Sequence, residues 1–286
     1  MRWKSATTGM RWLAGGVLGA AAMASACAQS TAQGLLDNSW VFNVGAFVLG
    51  TDVKARLNGQ ATNNPEVDFD KTFGKATDAT RARLDALWRI NPKHHLRFLY
   101  FDNRQTREKV LANDTAWGDY VFKAGSNAKA ERSIKVYELA YEYAFMREPT
   151  YEVAGTLGAH VMDISLKLSG TADVLDANGN VTSTGLHSES GDVTAPQPVI
   201  GIRAGWVVAP QWYVDAQAQL FRVSVSGVDG NWSDVRVGAT WMFTKNLGLG
   251  LAYNRFSTRV DVGKTNFDGA MKLGYSGVQA YLTGTF

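Results

Sequence analysis

Ten segments of this chain alternate apolar and non-apolar side chains at every second residue, a pattern that a helix of period 3.6 cannot sort. In Arg81 to Ile90, Ala82, Leu84, Ala86, Trp88 and Ile90 oppose Arg81, Arg83, Asp85, Leu87 and Arg89. The alternation returns at residues 95–101, 136–145, 152–162, 198–208, 212–220, 234–243, 247–254 and 277–286, and less sharply at 40–49. In the nine clear segments the apolar parity holds no Lys, Arg, Asp or Glu. A soluble sandwich also buries one face of each sheet, but nothing requires that face to stay free of charge strand after strand around a ring. In hydrocarbon an open sheet edge is untenable, and closure satisfies every ladder group. The expected fold is all-β: a closed antiparallel transmembrane barrel of about ten strands, occupying residues 39–286.

Two kinds of connection alternate between these segments. Tight turns are expected near residues 91, 148, 210 and 245, and outer loops at 58–78, 111–130 and 170–195, with shorter ones at 226–231 and 263–270. Short turns at one rim and long loops at the other are the layout of a bacterial outer-membrane barrel. Trp88, Tyr143, Phe145, Trp206, Trp212, Trp241, Phe243 and Phe286 share the apolar parity and lie close to the tight turns or the terminus. That spacing predicts an aromatic girdle at the inner membrane interface. Asp102, Arg222 and Arg255 have the same parity and would mark where strands leave the outer interface.

The closing segment, Gly277 to Phe286, sets Val278, Ala280, Leu282, Gly284 and Phe286 against Gln279, Tyr281, Thr283 and Thr285. Its bare terminal aromatic resembles the C-terminal signature of outer-membrane β-barrel proteins of Gram-negative bacteria. The resemblance covers the mature chain as barrel grammar, leader and Phe286, and reaches no particular subfamily. It implies outer-membrane lipid as the surroundings, and the barrel assembly machinery as a partner through the last strand.

The chain opens differently. Arg2, Lys4 and Arg11 precede an apolar run from Trp12 to Met23 and two A-x-A sites, Ala24-Ser25-Ala26 and Ala26-Cys27-Ala28. Residues 1–28 read as a secretory signal peptide and 29–38 as a lead-in to the barrel. Removing the leader leaves 26 Lys and Arg against 26 Asp and Glu, so the mature chain is formally neutral and a nucleic-acid partner loses its electrostatic basis. The one cysteine, Cys27, permits no disulfide framework; it is either removed with the leader or lipidated as a first residue.

Charges of the other parity are expected inside. Arg81, Arg83, Arg89, Arg97, Arg203 and Arg236 balance Asp85, Glu138, Glu142, Glu152, Asp215 and Asp234, and could form an ion-pair network that fills a small barrel. His160 has the same parity and reads as a hydrogen-bonded interior residue, whereas His94 and His95 fall at a tight turn and His187 in the third loop. His187 with Asp173, Asp176, Glu189 and Asp192 could supply the residue types of an omptin-like surface protease, although no matching motif is present. Asp176 to Asn180 begins like a calcium loop, but Val181 and His187 stand where that loop needs Gly and Glu, and an Asn/Gly turn fits better. No metal, cofactor or catalytic set is expected. The sequence points to a non-enzymatic outer-membrane protein serving envelope structure, loop-mediated contact with an unidentified extracellular ligand, or limited passage of small solutes. The alternatives are a porin-like passive channel and, from another class, an omptin-like or lipid-modifying surface hydrolase.

Overall fold

A computed structural model of the protein describes residues 31–58, 65–74, 79–176, 178–225, 227–264 and 267–286. Ten long strands form the wall: β1 (Trp40–Leu57), β3 (Ala79–Arg89), β4 (His94–Val110), β7 (Asn127–Glu148), β8 (Tyr151–Leu175), β9 (Val181–Ala209), β10 (Trp212–Val225), β11 (Val228–Met242), β12 (Leu247–Lys264) and β13 (Phe267–Thr285). Each pairs antiparallel with its neighbour, and β1 pairs with β13 from Val41↔Thr285 to Leu57↔Gly269. The barrel is therefore closed, with ten strands, as the period-two pattern requires. The expected signal peptide and Cys27 lie outside the described residues.

Most of the strands are longer than a membrane needs. On β7, Tyr137 to Phe145 gives the nine residues, and on β8 Tyr151 to Val161 the eleven, with which a tilted strand crosses hydrocarbon. Across this band the outward residues are apolar and exposed or half-buried. One step further along the ladder the outward row turns polar: Asp102, Lys135 and Asp163 are neighbours in register, and Arg255 follows Tyr253 on β12. Lys135 and Asp163 are 3.6 Å apart.

Beyond that row the inward side becomes apolar. Ala128, Ala130, Ile134 and Val136 of β7 pack with Met162, Ile164, Leu166 and Leu168 of β8 and with Val53, Ala55, Met271 and Leu273 from β1 and β13. The segment at 170–195 is thus largely, and that at 111–130 partly, β-structure rather than the loops expected. The former is a continuation of the β8–β9 hairpin, and the latter holds a small hairpin, β5 (Thr115–Trp117) and β6 (Tyr120–Phe122), followed by the start of β7. The alternation persists there with its apolar side turned inward, so a search for a continuing apolar outer parity ends too early. Part of 58–78 folds as β2 (Val67–Asp68) and a short helix, α2 (Phe69–Phe73), which lays Phe69 edge-on to Trp117 with ring centres 5.4 Å apart.

At the opposite end, where the turns near 91, 149, 210 and 245 gather beside the carboxyl terminus, a one-turn helix α1 (Gly34–Asp37) sits in the mouth with Leu35 and Leu36 buried. The lead-in ties the turns together. Ala32 N donates to Pro210 O (3.0 Å), Gln33 Nε2 to Pro149 O (2.8 Å) and Thr285 Oγ1 to Gly34 O (3.1 Å).

Candidate functional site

The interior on the turn side of the barrel carries most of the expected charges. Glu138 and Glu142 project inward from β7 four residues apart, roughly 13 Å along the strand at 3.3 Å per residue. Glu142 is fully buried. Two arginines bridge the acids. Arg97 of β4 reaches Glu138 (2.8 Å) and Glu142 (3.3 Å), while Arg203 of β9 reaches Glu142 (2.7 Å) and Glu152 of β8 (2.7 Å). Arg89 stands 3.9 Å from Glu152. The ladder makes room for these long side chains, since Arg97 lies opposite Ala140 and Arg203 opposite Ala154.

The chain of charges continues upward. Glu138 also meets His160 Nε2 (2.5 Å) and accepts from Gln219 Nε2 (3.0 Å). His160 stacks on Trp232, ring centres 4.6 Å apart, at the floor of an aromatic layer in which Trp232, Phe256, Tyr275, Phe47 and Phe101 follow one another. This layer separates the charged compartment from the apolar one above.

Across the lumen, Arg83 pairs with Asp85 (3.1 Å) and Arg236 with Asp215, while Asp234 accepts from Asn254. The Arg236 guanidinium also lies 5.5 Å over the Tyr281 ring, which crosses so near the Gly250 backbone that any Cβ there would collide with it. Arg81 stands apart from the rest, higher in the wall, donating from Nε to Asn103 Oδ1 (2.8 Å) and from Nη2 to Arg104 O (2.6 Å). The room left in this compartment is a cavity of about 80 Å³ lined by Leu35, Asp85, Arg97, Arg203, Asp215 and Arg236, enough for a handful of waters.

Three titratable residues turn inward without having been expected in the interior network. His95 is fully buried, with Nδ1 3.7 Å from Glu152, and does not belong to the tight turn. Its parity opposite Leu96 already carried that signal. Arg147 reaches Glu152 (3.0 Å), Asp37 (3.1 Å) and the Leu36 carbonyl (2.7 Å). A shift of register between Ala144 and Met146 turns it inward, which strict alternation could not reveal. Arg132, in the apolar compartment, donates to Thr51 Oγ1 (2.8 Å) and to Gln105. With Arg89 on the Leu35 carbonyl (2.7 Å), Arg147 also caps the carbonyl end of α1 and locks it in the mouth.

The eight aromatics Trp88, Tyr143, Phe145, Trp206, Trp212, Trp241, Phe243 and Phe286 all stand exposed on the outer surface near the turns. Trp40 stacks between Phe42 (5.3 Å) and Trp88 (5.4 Å) in the same belt. The residues weighed for a surface protease are engaged separately. Asp173 pairs with Lys123 (3.2 Å) and accepts from Thr184 (2.6 Å); His187 stacks on Tyr120 (4.8 Å); Glu189 packs on Gly118; Asp192 accepts from Ser190 (3.2 Å) on the strand face opposite His187. Asp176 Oδ1 accepts from the backbone N–H of Asn178 (2.9 Å) and Asn180 (2.8 Å), an Asx-type turn at the hairpin tip. Those hydrogen bonds, from Asn180 first, hold its carboxyl below the usual carboxylate range.

No protein-family model and no curated protein sequence matches the chain. Among solved structures, the outer membrane protease OmpT of Escherichia coli superposes with a TM-score of 0.56 at 14% identity, over 88% of this chain and 97% of that one. The toluene transporter TodX of Pseudomonas putida gives a TM-score of 0.38 at 8% identity over 90% and 92%, and the attachment invasion locus protein Ail of Yersinia pestis 0.32 at 9% over 86% and 99%. The first likeness extends to the fold and no further; the other two are too loose to support an argument. The chain is a closed ten-stranded antiparallel β-barrel of the outer-membrane type. Its activity has to be sought in its side chains, since one such fold hosts unrelated functions.

Proposed function

We propose that this protein resides in the outer membrane as a filled, poorly conducting barrel without enzymatic activity, with its short turns in the periplasm and its extended hairpins outside. The observation that carries this reading is the continuous run Arg89–Glu152–Arg203–Glu142–Arg97–Glu138–His160 across the lumen, roofed by the aromatic layer and floored by α1. Opposed long side chains occupy the section through which a solute would pass, and along this run each buried acid meets an arginine. The outer compartment, which no membrane crossing requires, then carries the contacts with the surroundings, and the last strand would serve the assembly machinery.

Planar-bilayer recording on the purified folded protein tests this. Only small or rare openings are expected from the unaltered barrel. Replacing Glu138 and Glu142 together with Ala frees Arg97 and Arg203 and removes bulk, so any new current should favour anions. Stable large openings in the unaltered protein would support the passive-channel alternative instead.

A further inference from the structure

The wall is not equally closed at all heights. β9 pairs with β8 from Val181 to Trp206, but with β10 only from Ala209 to Ile200, where Ile200 faces Leu220. Above that pair β10 continues to Val225 against β11 alone, so a slot separates the β10-facing edge of β9 from β10. Its cause is legible in Pro196-Gln197-Pro198. The β8 ladder runs unbroken through Val161↔Pro196 and Ala159↔Pro198, so both prolines direct their donor-less nitrogens toward β10. Pro198 stands where the next β9 donor to β10 would be. Another ladder of the wall that stops short, β3–β4, is bridged by Arg81 on Asn103 and on the Arg104 carbonyl.

The slot begins just above Ile200, which faces Leu157 of β8, and rises past Val161 and Asp163, so it spans the outer part of the apolar band and its edge. Its inner flanks, Val199 and Phe221, belong to the packed cluster that fills the outer compartment. Higher in that cluster lies an apolar cavity of about 40 Å³, lined by Leu57, Trp117, Ile164, Leu166, Gly191 and Met271, with Arg56 and Asp192 at its rim. Two buried donors here lack a hydrogen-bond partner, Trp117 Nε1 and Arg56 Nε. Arg56 forms no ion pair among the described residues, whereas Asp192 is engaged by Ser190. A donor buried in an apolar core without a partner is costly and calls for an acceptor.

We propose that the outer compartment binds a single-chain anionic amphiphile, a long-chain fatty acid, which enters through the β9–β10 slot from the outer leaflet. Its carboxylate pairs with Arg56 and accepts from Trp117 Nε1 in the small cavity, which has room for that group. Its chain lies along the free edge of β9 from Gly191 down to Val199, roughly 26 Å at 3.3 Å per residue, among Ile164, Met162 and Phe221. The head then sits at the extracellular end and the tail at the membrane, the orientation that an amphiphile already has in the outer leaflet. This goes beyond the filled-lumen reading and does not depend on it, because the charged compartment lies below the aromatic layer.

The test is native mass spectrometry of the full mature barrel, released from detergent after incubation with oleate. One oleate retained per wild-type barrel is expected. Gly191→Leu has ordinary contact distances to Leu57 and Trp117 at its Cβ and fills the cavity, so retention should fall at least tenfold. Arg56→Gln should cost a similar factor for oleate and little for oleyl alcohol. Pro196→Thr/Pro198→Thr restores both donors; slowed amide exchange at residues 221–224 with at least tenfold slower uptake is expected. No oleate on the wild type, or undiminished, wild-type retention by both Arg56→Gln and Gly191→Leu, would overturn the site. If Gly191→Leu fails to fold, Arg56→Gln decides alone. Unchanged uptake in a double proline variant whose exchange has slowed would overturn the route.

Discussion

The lower and upper halves of this barrel share most of their strands and their parity, yet they are chemically inside out with respect to each other. On β7 the outward row reads Tyr137, Leu139, Tyr141, Tyr143, Phe145 in one half and Lys129, Glu131, Ser133, Lys135 in the other, while the inward row passes from Glu142 and Glu138 to Val136, Ile134, Ala130 and Ala128. On β8 the exchange falls between Val161 and Met162, which face Tyr137 and Val136 across the ladder. Along β7 and β8 the ladder runs through both halves, so backbone hydrogen bonds do not account for the exchange. What differs is the medium outside: hydrocarbon selects apolar side chains facing outward and leaves the lumen to polar ones, whereas water reverses both preferences. One closed sheet thus serves as a membrane barrel below and as a water-soluble β-structure with an apolar core above.

The strongest way to break this contrast is to remove a charge from the lower lumen. Glu142→Ala strands Arg203 and Arg97 without their shared acid and should cost about 3–5 kcal/mol, the range for breaking a buried pair. Equilibrium unfolding in urea from detergent or lipid measures it. Next comes the outward face. Leu139→Arg, at a residue 53% exposed, should cost about 2–4 kcal/mol if it lies near the bilayer midplane. Lys129→Gln, outward on the same strand but in the upper half, should stay within about 0.5 kcal/mol. Equal costs at the two sites would erase the distinction. A smaller effect belongs to the upper core, where Ile134→Val should cost about 0.5–1.5 kcal/mol, as in a soluble domain.

The smallest effect concerns pH at the tip of the β8–β9 hairpin. The Asp176 carboxyl is depressed by the backbone N–H groups that it accepts, so the turn's added stability is present above the usual carboxylate pKa and is lost as pH falls through the lowered folded value. Amide exchange at Asn178 and Asn180 should accelerate over that acidic window and stay flat above it. Asp176→Asn should flatten the profile.

These halves were unequally legible in the sequence. All ten strands could be placed where they cross hydrocarbon, because an apolar row free of charge repeats in each, as at Ala82 to Ile90 and Val278 to Phe286. The upper extensions passed for loops since Lys129, Glu131 and Lys135 occupy the parity that carried the apolar signal below, and the covering pieces, β5–β6 and α2, have no period long enough to read. Inside the barrel, parity named the charges but not their partners. Arg97 meets Glu138 only because β4 and β7 pair in a register that alternation alone leaves free, and Arg147 turns inward only because of the irregularity at Ala144/Met146. Prolines were the signal for the slot, yet Pro196 and Pro198 gain that meaning only once β8 is known to pair through them.

The exchange of sides along β7 can be measured directly. Spin labels placed one at a time from Lys129 to Phe145 in the protein reconstituted in lipid report collisions with oxygen, which concentrates in hydrocarbon, and with a water-soluble nickel chelate. Odd positions from 137 to 145 should favour oxygen, odd positions from 129 to 135 the chelate, and even positions should resist both, with the crossover between Lys135 and Tyr137. Oxygen dominating at 129–135, or even positions open to the chelate throughout, would contradict a single barrel that changes its apolar side at the membrane surface.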